Sequence, residues 1–116
     1  MRPVTIDVEA ATGRYTVLIG DGLSSRLGRI LEEHNVGGHR FIVSNPVVWR
    51  FHGEAVTQAL PDATIVQVPD GERHKHLATV ARIYEALVRG EANRDSTVVA
   101  AGGGVVGDMA GFAAAT

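Results

Sequence analysis

The sequence predicts an α/β fold: a Rossmann-like parallel sheet with helices on both faces, preceded by an N-terminal β-hairpin. Three observations carry it. After the first 20 residues, helix-spaced apolar stripes and short β-branched runs follow one another as helix, strand, helix, strand, helix, strand, helix, an order that argues parallel strands with helices packed on them. Ahead of this, apolar and polar residues alternate with the period of two that marks strands. Finally, Ser96 to Thr116 reads as an apolar strand, a glycine turn and an alanine-rich helix.

Val4, Ile6 and Val8 alternate with Thr5, Asp7 and Glu9, which predicts a half-buried strand. Residues 10–14 form a turn, and Tyr15 to Ile19 returns as the second strand of the hairpin. Leu23, Leu27, Ile30, Leu31 and His34 share one helix face, with Asp21 or Ser24 near its start and Gly37-Gly38 beyond its end. Arg40 to Ser44 is the third strand.

Asn45-Pro46 then opens a helix: Asn caps it, and Pro suits the first position because it has no N–H to satisfy. Its apolar face runs through Val48, Phe51, Ala55, Val56, Ala59 and Leu60. Thr64 to Val68 is the fourth strand, and Pro69-Asp70-Gly71-Glu72 turns into a helix striped by Leu77, Val80, Ala81, Tyr84, Leu87 and Val88. After the loop 90–95, the fifth strand, read as buried on both faces, enters the glycine turn. Val106, Met109, Ala110 and Ala113 give the last helix its spacing.

Length and composition narrow the function. At 116 residues there is room for one domain and little more. A formal charge of −2 offers no basic surface for nucleic acid or an anionic membrane, and no run approaches transmembrane length. The absence of cysteine excludes thiolate metal sites and cysteine nucleophiles. No signal-peptide core is visible, so the expected location is the cytoplasm. The last helix reaches Thr116 without Gly, Asn or a basic residue to stop it, and we read the chain as the front part of a longer protein.

In a parallel α/β sheet the strand-to-helix turns all emerge at one edge, where ligands bind. Here they are Ser44-Asn45-Pro46, Pro69 to Lys75 and Gly102 to Asp108. The third has the spacing G-x-G-x-x-G through Gly102, Gly104 and Gly107, between a strand and a helix, as a dinucleotide fingerprint requires. Such a turn offers backbone N–H groups to a pyrophosphate. Asn45 can donate and accept, Asp70 and Glu72 can accept from ribose hydroxyls, and Gly71 permits close approach. Lys75 can pair with a phosphate, and Asp108 can reach a second ribose. Each residue also has a plainer role: Asn45 as a cap, Pro-Asp-Gly as a turn, Glu72 with Lys75 as a solvated pair, and Asp108 as a dipole partner. Together on one edge they match what a dinucleotide needs. The five histidines lack paired ligand spacing and read as solvated or capping residues.

Pro69-Asp70-Gly71-Glu72-Arg73-His74-Lys75 followed by Leu77 resembles the P-x-G-E-x-x-K segment of 3-dehydroquinate synthases. The run from Gly102 to Thr116 is similar to that family's glycine signature, as are Arg94 to Thr97 and Val43-Ser44-Asn45. The resemblance implies an N-terminal NAD-binding α/β domain, here residues 1–116, ahead of a mostly helical C-terminal domain. It implies conversion of 3-deoxy-D-arabino-heptulosonate 7-phosphate to 3-dehydroquinate and phosphate in the shikimate pathway, with NAD reduced and reoxidised in each turnover. It further implies a divalent metal, zinc or cobalt, that polarises the sugar-phosphate substrate, and a homodimer for the full-length protein.

Carried over, Asp70, Gly71, Glu72, Arg73, His74 and Lys75 look like NAD contacts. So do Gly104, Val105, Val106, Gly107 and Asp108, with Asn45 and Gly103 as additions. The family's metal ligands and catalytic groups belong beyond Thr116. Many members have an acidic residue where this chain has Val43, which puts one adenosine-ribose contact in doubt. Three alternatives stay open: a nucleotide-binding fragment without activity, a related sugar-phosphate cyclase, and a metal-dependent polyol dehydrogenase. Val105 and Gly111, where those dehydrogenases usually place Ser and Lys, argue against the last.

Overall fold

A computed structural model describes residues 3–116. The hairpin comprises β1 (Val4–Ala10) and β2 (Gly13–Ile19), paired antiparallel from Val4 opposite Ile19 to Ala10 opposite Gly13. Its turn is therefore tighter than the sequence suggested, with only Ala11 and Thr12 between the strands. The register puts Val4, Ile6 and Val8 opposite Ile19, Val17 and Tyr15, so one face is wholly apolar. That face was expected to be half covered, yet Val4, Ile6, Tyr15, Val17 and Ile19 are exposed. A cleft of about 650 Å³ is lined by residues from both faces of the hairpin, among them Asp7, Val8, Tyr15 and Thr16, and by Leu31 and His34 of the following helical segment.

A 3-10 turn, Leu23–Arg26, leads into α1 (Leu27–Glu33). Neither Asp21 nor Ser24 caps it; the turn starts from Gly22, with no side-chain cap. Three strands then form a parallel sheet: β3 (Arg40–Ser44), β4 (Thr64–Gln67) and β5 (Thr97–Ala100), in the spatial order β4-β3-β5. Between and after them come α2 (Pro46–Ala59), α3 (Leu77–Arg89) and α4 (Gly104–Ala115).

The middle strand is β3, and successive residues on it serve opposite cores. Ile42 packs with Val56 of α2, with Leu60 just beyond it, and with Leu27 and Leu31 of α1. Val43 packs with Val80 and Ile83 of α3 and with Val106, Met109, Ala110 and Ala113 of α4. Helices therefore cover both faces, as strand alternation requires. β5, expected to be buried on both faces, is only half-buried because it pairs with a single strand among the described residues.

One helix face is rotated from its sequence-based expectation, and a second departs from it at one residue. On α2 Phe51 stands in solvent, while Val56 and, just past the helix end, Leu60 are buried as expected. Leu77, Ala81 and Val88 are exposed on α3, where Thr79, Val80 and Ile83 make the buried stripe. In both helices several apolar residues stand off the stripe, so spacing alone admits more than one face. The four residues expected to face inward on α4 all do.

Candidate functional site

The sheet order creates a switch point. From β3 the chain leaves to α2 on one face; from β5, the adjacent strand, it leaves to α4 on the other. A crevice opens between two such departures, and ligands of open α/β sheets bind there.

Three side-chain bonds tie the turns around this crevice. Asn45 lies 5% exposed at the start of α2, where its Oδ1 accepts from the Val48 N–H at 2.8 Å. Its Nδ2 donates to Asp70 Oδ1 at 3.2 Å, joining the first turn to the second. Asn45 is thus both the helix cap of its plain reading and a link between loops. Lys75 Nζ lies 2.9 Å from Asp108 Oδ2 and 3.5 Å from Glu72 Oε1, joining the second turn to the third. The hydrogen bond from Lys75 to Asp108, with the charges of Asp108 and Glu72, holds the ammonium above its ordinary pKa of 10.5. Ser44 Oγ donates to the Ala101 carbonyl at 2.8 Å, joining the third turn to the first.

The start of α4 is built differently from that of α2. Gly103 occupies the capping position, and no side chain caps the helix. The first ladder bond runs from the Gly107 N–H to the Gly103 carbonyl at 3.0 Å. The preceding N–H groups, on Gly104, Val105 and Val106, lie ahead of this ladder, where a helix leaves its donors free for an outside acceptor. Gly103 and Gly104 are exposed, and a Cβ added at Gly103, Gly104 or Gly107 would meet nothing within 4 Å. None of these three has positive φ, so neither packing nor backbone conformation calls for glycine. Gly71 differs: its φ of 106° is one that residues with a side chain rarely adopt.

The remaining predicted residues are placed as follows. Glu72, Arg73 and His74 form a short 3-10 turn, in which Arg73 Nε donates to His74 Nε2 at 3.2 Å. Neither residue is bonded to the other two turns among the described residues. Val105 is half-buried, and Val106 is buried among core residues, which leaves its backbone as the part able to meet a ligand. Val43 also lies in the core, on the face of α3 and α4. Beside the Lys75–Asp108 pair a cleft of about 320 Å³ is lined by Leu77, Val80, Met109 and Phe112. Among the described residues no three His, Cys, Asp or Glu converge as a metal site would require. The sequence reading missed Ser44 as a link, although a hydroxyl ending the run Phe41-Ile42-Val43 was its visible signal.

These features define a doubly wound α/β unit with an open, donor-lined crevice at its switch point. The same backbone occurs in 2-deoxy-scyllo-inosose synthase. One crystal structure of that enzyme aligns with a TM-score of 0.84 at 22% identity, covering 97% of this chain and 33% of that one. A second, complexed with carbaglucose-6-phosphate, NAD+ and Co2+, aligns with a TM-score of 0.82 at 24% identity, over 97% and 32% of the two chains.

By sequence the chain is similar to 3-dehydroquinate synthases: residues 65–116 match the family model for the N-terminal part of that enzyme. It is 46% identical to the 3-dehydroquinate synthase of Gloeobacter violaceus, covering 97% of this chain and 32% of that protein. Against the enzymes of Pelobacter propionicus and Halorhodospira halophila the identities are 39% and 44%, over 96% and 94% of this chain and 32% and 30% of theirs. The chain spans about a third of the length of these relatives.

Proposed function

We propose that residues 1–116 are the NAD-binding α/β domain of a 3-dehydroquinate synthase. The whole protein would convert 3-deoxy-D-arabino-heptulosonate 7-phosphate to 3-dehydroquinate and phosphate in the cytoplasm. The observation that carries the cofactor assignment is the entrance to α4, with an uncapped first turn and glycines that open onto free space. Glycine in a helix is less stable than alanine by roughly 0.5–1 kcal/mol, so glycine without a packing reason suggests room kept for something else. A pyrophosphate fits that room. The N–H groups of Gly104, Val105 and Val106 would donate to it, and the helix dipole favours its charge.

Around this anchor, Asp70, Glu72 and Asp108 would accept from ribose hydroxyls while Asn45 holds Asp70 in place. Lys75 would stay between Asp108 and the entering phosphate. Arg73 and His74 would close the outer side of the second turn. NAD, when bound, supplies a reversible hydride acceptor for the sugar. The described residues do not fit a divalent metal, so the zinc or cobalt of this reading would be held elsewhere and no step is assigned to it here. A homodimer belongs to the same reading, and light scattering of the whole protein tests it. The sequence identity to dehydroquinate synthases, 46% against 22–24% for the inosose synthases, favours this substrate over that of a related cyclase.

Two measurements on the whole protein test the proposal: calorimetric titration with NAD, and phosphate release from the heptulosonate phosphate with and without added NAD. Saturable binding and NAD-dependent release are expected. Failure to bind NAD would contradict the cofactor assignment; binding without phosphate release would contradict the substrate.

A further inference from the structure

We infer that Ser44 is a positioning residue that sets the spacing of the crevice in which, on the reading above, the cofactor's pyrophosphate lies. Ser44 ends β3 and is fully buried, without a charged partner. Its two oxygens are bonded to different neighbours. The backbone carbonyl accepts from the Val68 N–H at 2.9 Å, at the end of β4, and Oγ donates to the Ala101 carbonyl at 2.8 Å, just past β5. One residue of the middle strand therefore binds the ends of both flanking strands.

The place of the second bond matters. The ladder between β3 and β5 extends as far as the Ala101 N–H, which donates to the Val43 carbonyl at 2.8 Å. Immediately beyond, the strands part: Asn45 begins α2 on one face, and Gly102 begins the turn to α4 on the other. Where the backbone ladder gives out, the Ser44 hydroxyl supplies the next donor and holds the carbonyl directly before the glycine turn. Without it the Ala101 carbonyl loses a partner at the mouth of the crevice. The peptide from Ala101 to Gly102 is then free to rotate, and the donors of Gly104 to Val106 move with it. A phosphate cradle loosened by a fraction of an ångström binds less well, since such sites depend on supports held by hydrogen bonds behind them.

The test is Ser44→Ala in the full chain, with NAD affinity read by calorimetry and the melting temperature read without NAD. We expect NAD to bind about tenfold more weakly, in line with losing one well-placed support, while the ligand-free protein still melts cooperatively. A residue with a merely structural role would lower the melting temperature and leave the affinity of the folded protein unchanged; that result overturns the inference. Should Ser44→Ala fail to fold, Ser44→Cys keeps the size and replaces a strong donor with a weak one. It should weaken NAD binding severalfold, and wild-type affinity in a folded Ser44→Cys protein would likewise overturn the inference. If the unsubstituted protein binds no NAD, the cofactor reading falls and this inference with it. Unchanged affinity in the variants removes the role of Ser44 alone.

Discussion

Glycines at the two edges of the parallel sheet stand in different surroundings. At the edge where the strands begin, two glycines are crowded by the protein itself. A Cβ on Gly38 would lie 1.8 Å from the Asp95 carbonyl oxygen, and one on Gly90 would lie 2.4 Å from the buried Phe41 ring. At the edge where the strands end, Gly102 is pressed by the Val106 side chain, but Gly103, Gly104 and Gly107 face open space. The first set is explained by packing within the chain. The second is not, and the difference locates the side of the molecule on which a partner of some kind has to be supplied.

Breaking the comparison begins with its crowded half. Gly38→Ala meets both the clash with Asp95 and a φ of 77°, and should destabilise the protein by about 2 kcal/mol or more. Urea unfolding measures this, and a loss below half that size would mean that the loop yields easily. Gly90→Ala presses on a ring with no free side to move into and should cost about 1–3 kcal/mol by the same assay. The open half should respond with the other sign. Gly107→Ala adds a methyl group to a helix interior where nothing is touched, so the ligand-free protein should gain roughly 0.5–1 kcal/mol. Destabilisation there would reveal a contact that the comparison lacks.

The smallest effect expected is electrostatic. Lys75 has its pKa raised, chiefly by the hydrogen bond to Asp108. Its contribution is therefore fully present below the ordinary value of 10.5 and is lost as pH rises through the raised value. In Lys75→Met this alkaline component of the stability profile should disappear, while the profile near neutrality keeps its shape. Because both partners are substantially exposed, added salt should shrink the difference between the two proteins. A difference that persists in high salt would point to a buried pair instead.

What was legible in the sequence follows from how local each signal is. Asn45-Pro46 announced the start of α2 because a cap needs only its own N–H neighbours, and the spacing of α4 pointed to its four buried residues. The outward position of Phe51 on α2 and the rotated face of α3 were less accessible. Phe51 and Leu77 are as apolar as the residues that go inward, and only the position of the sheet decides between them. The exposed apolar face of the hairpin was unreadable for a related reason: alternation tells which residues share a face, never what covers it. The links across the crevice join residues 25, 33 and 57 apart (Asn45 to Asp70, Lys75 to Asp108, Ser44 to Ala101). Such pairs exist only once the β4-β3-β5 order has brought the turns together. The residue types were visible; their partnerships were not.

On this reading the glycines at the entrance to α4 keep space for a bound cofactor. Gly104→Val tests it most directly, because its Cβ would touch nothing in the protein and its φ is not positive. With NAD titrated into the full-chain variant, the account predicts a melting temperature close to that of the unsubstituted protein together with loss of measurable NAD binding. Normal NAD affinity in a folded Gly104→Val protein would contradict it.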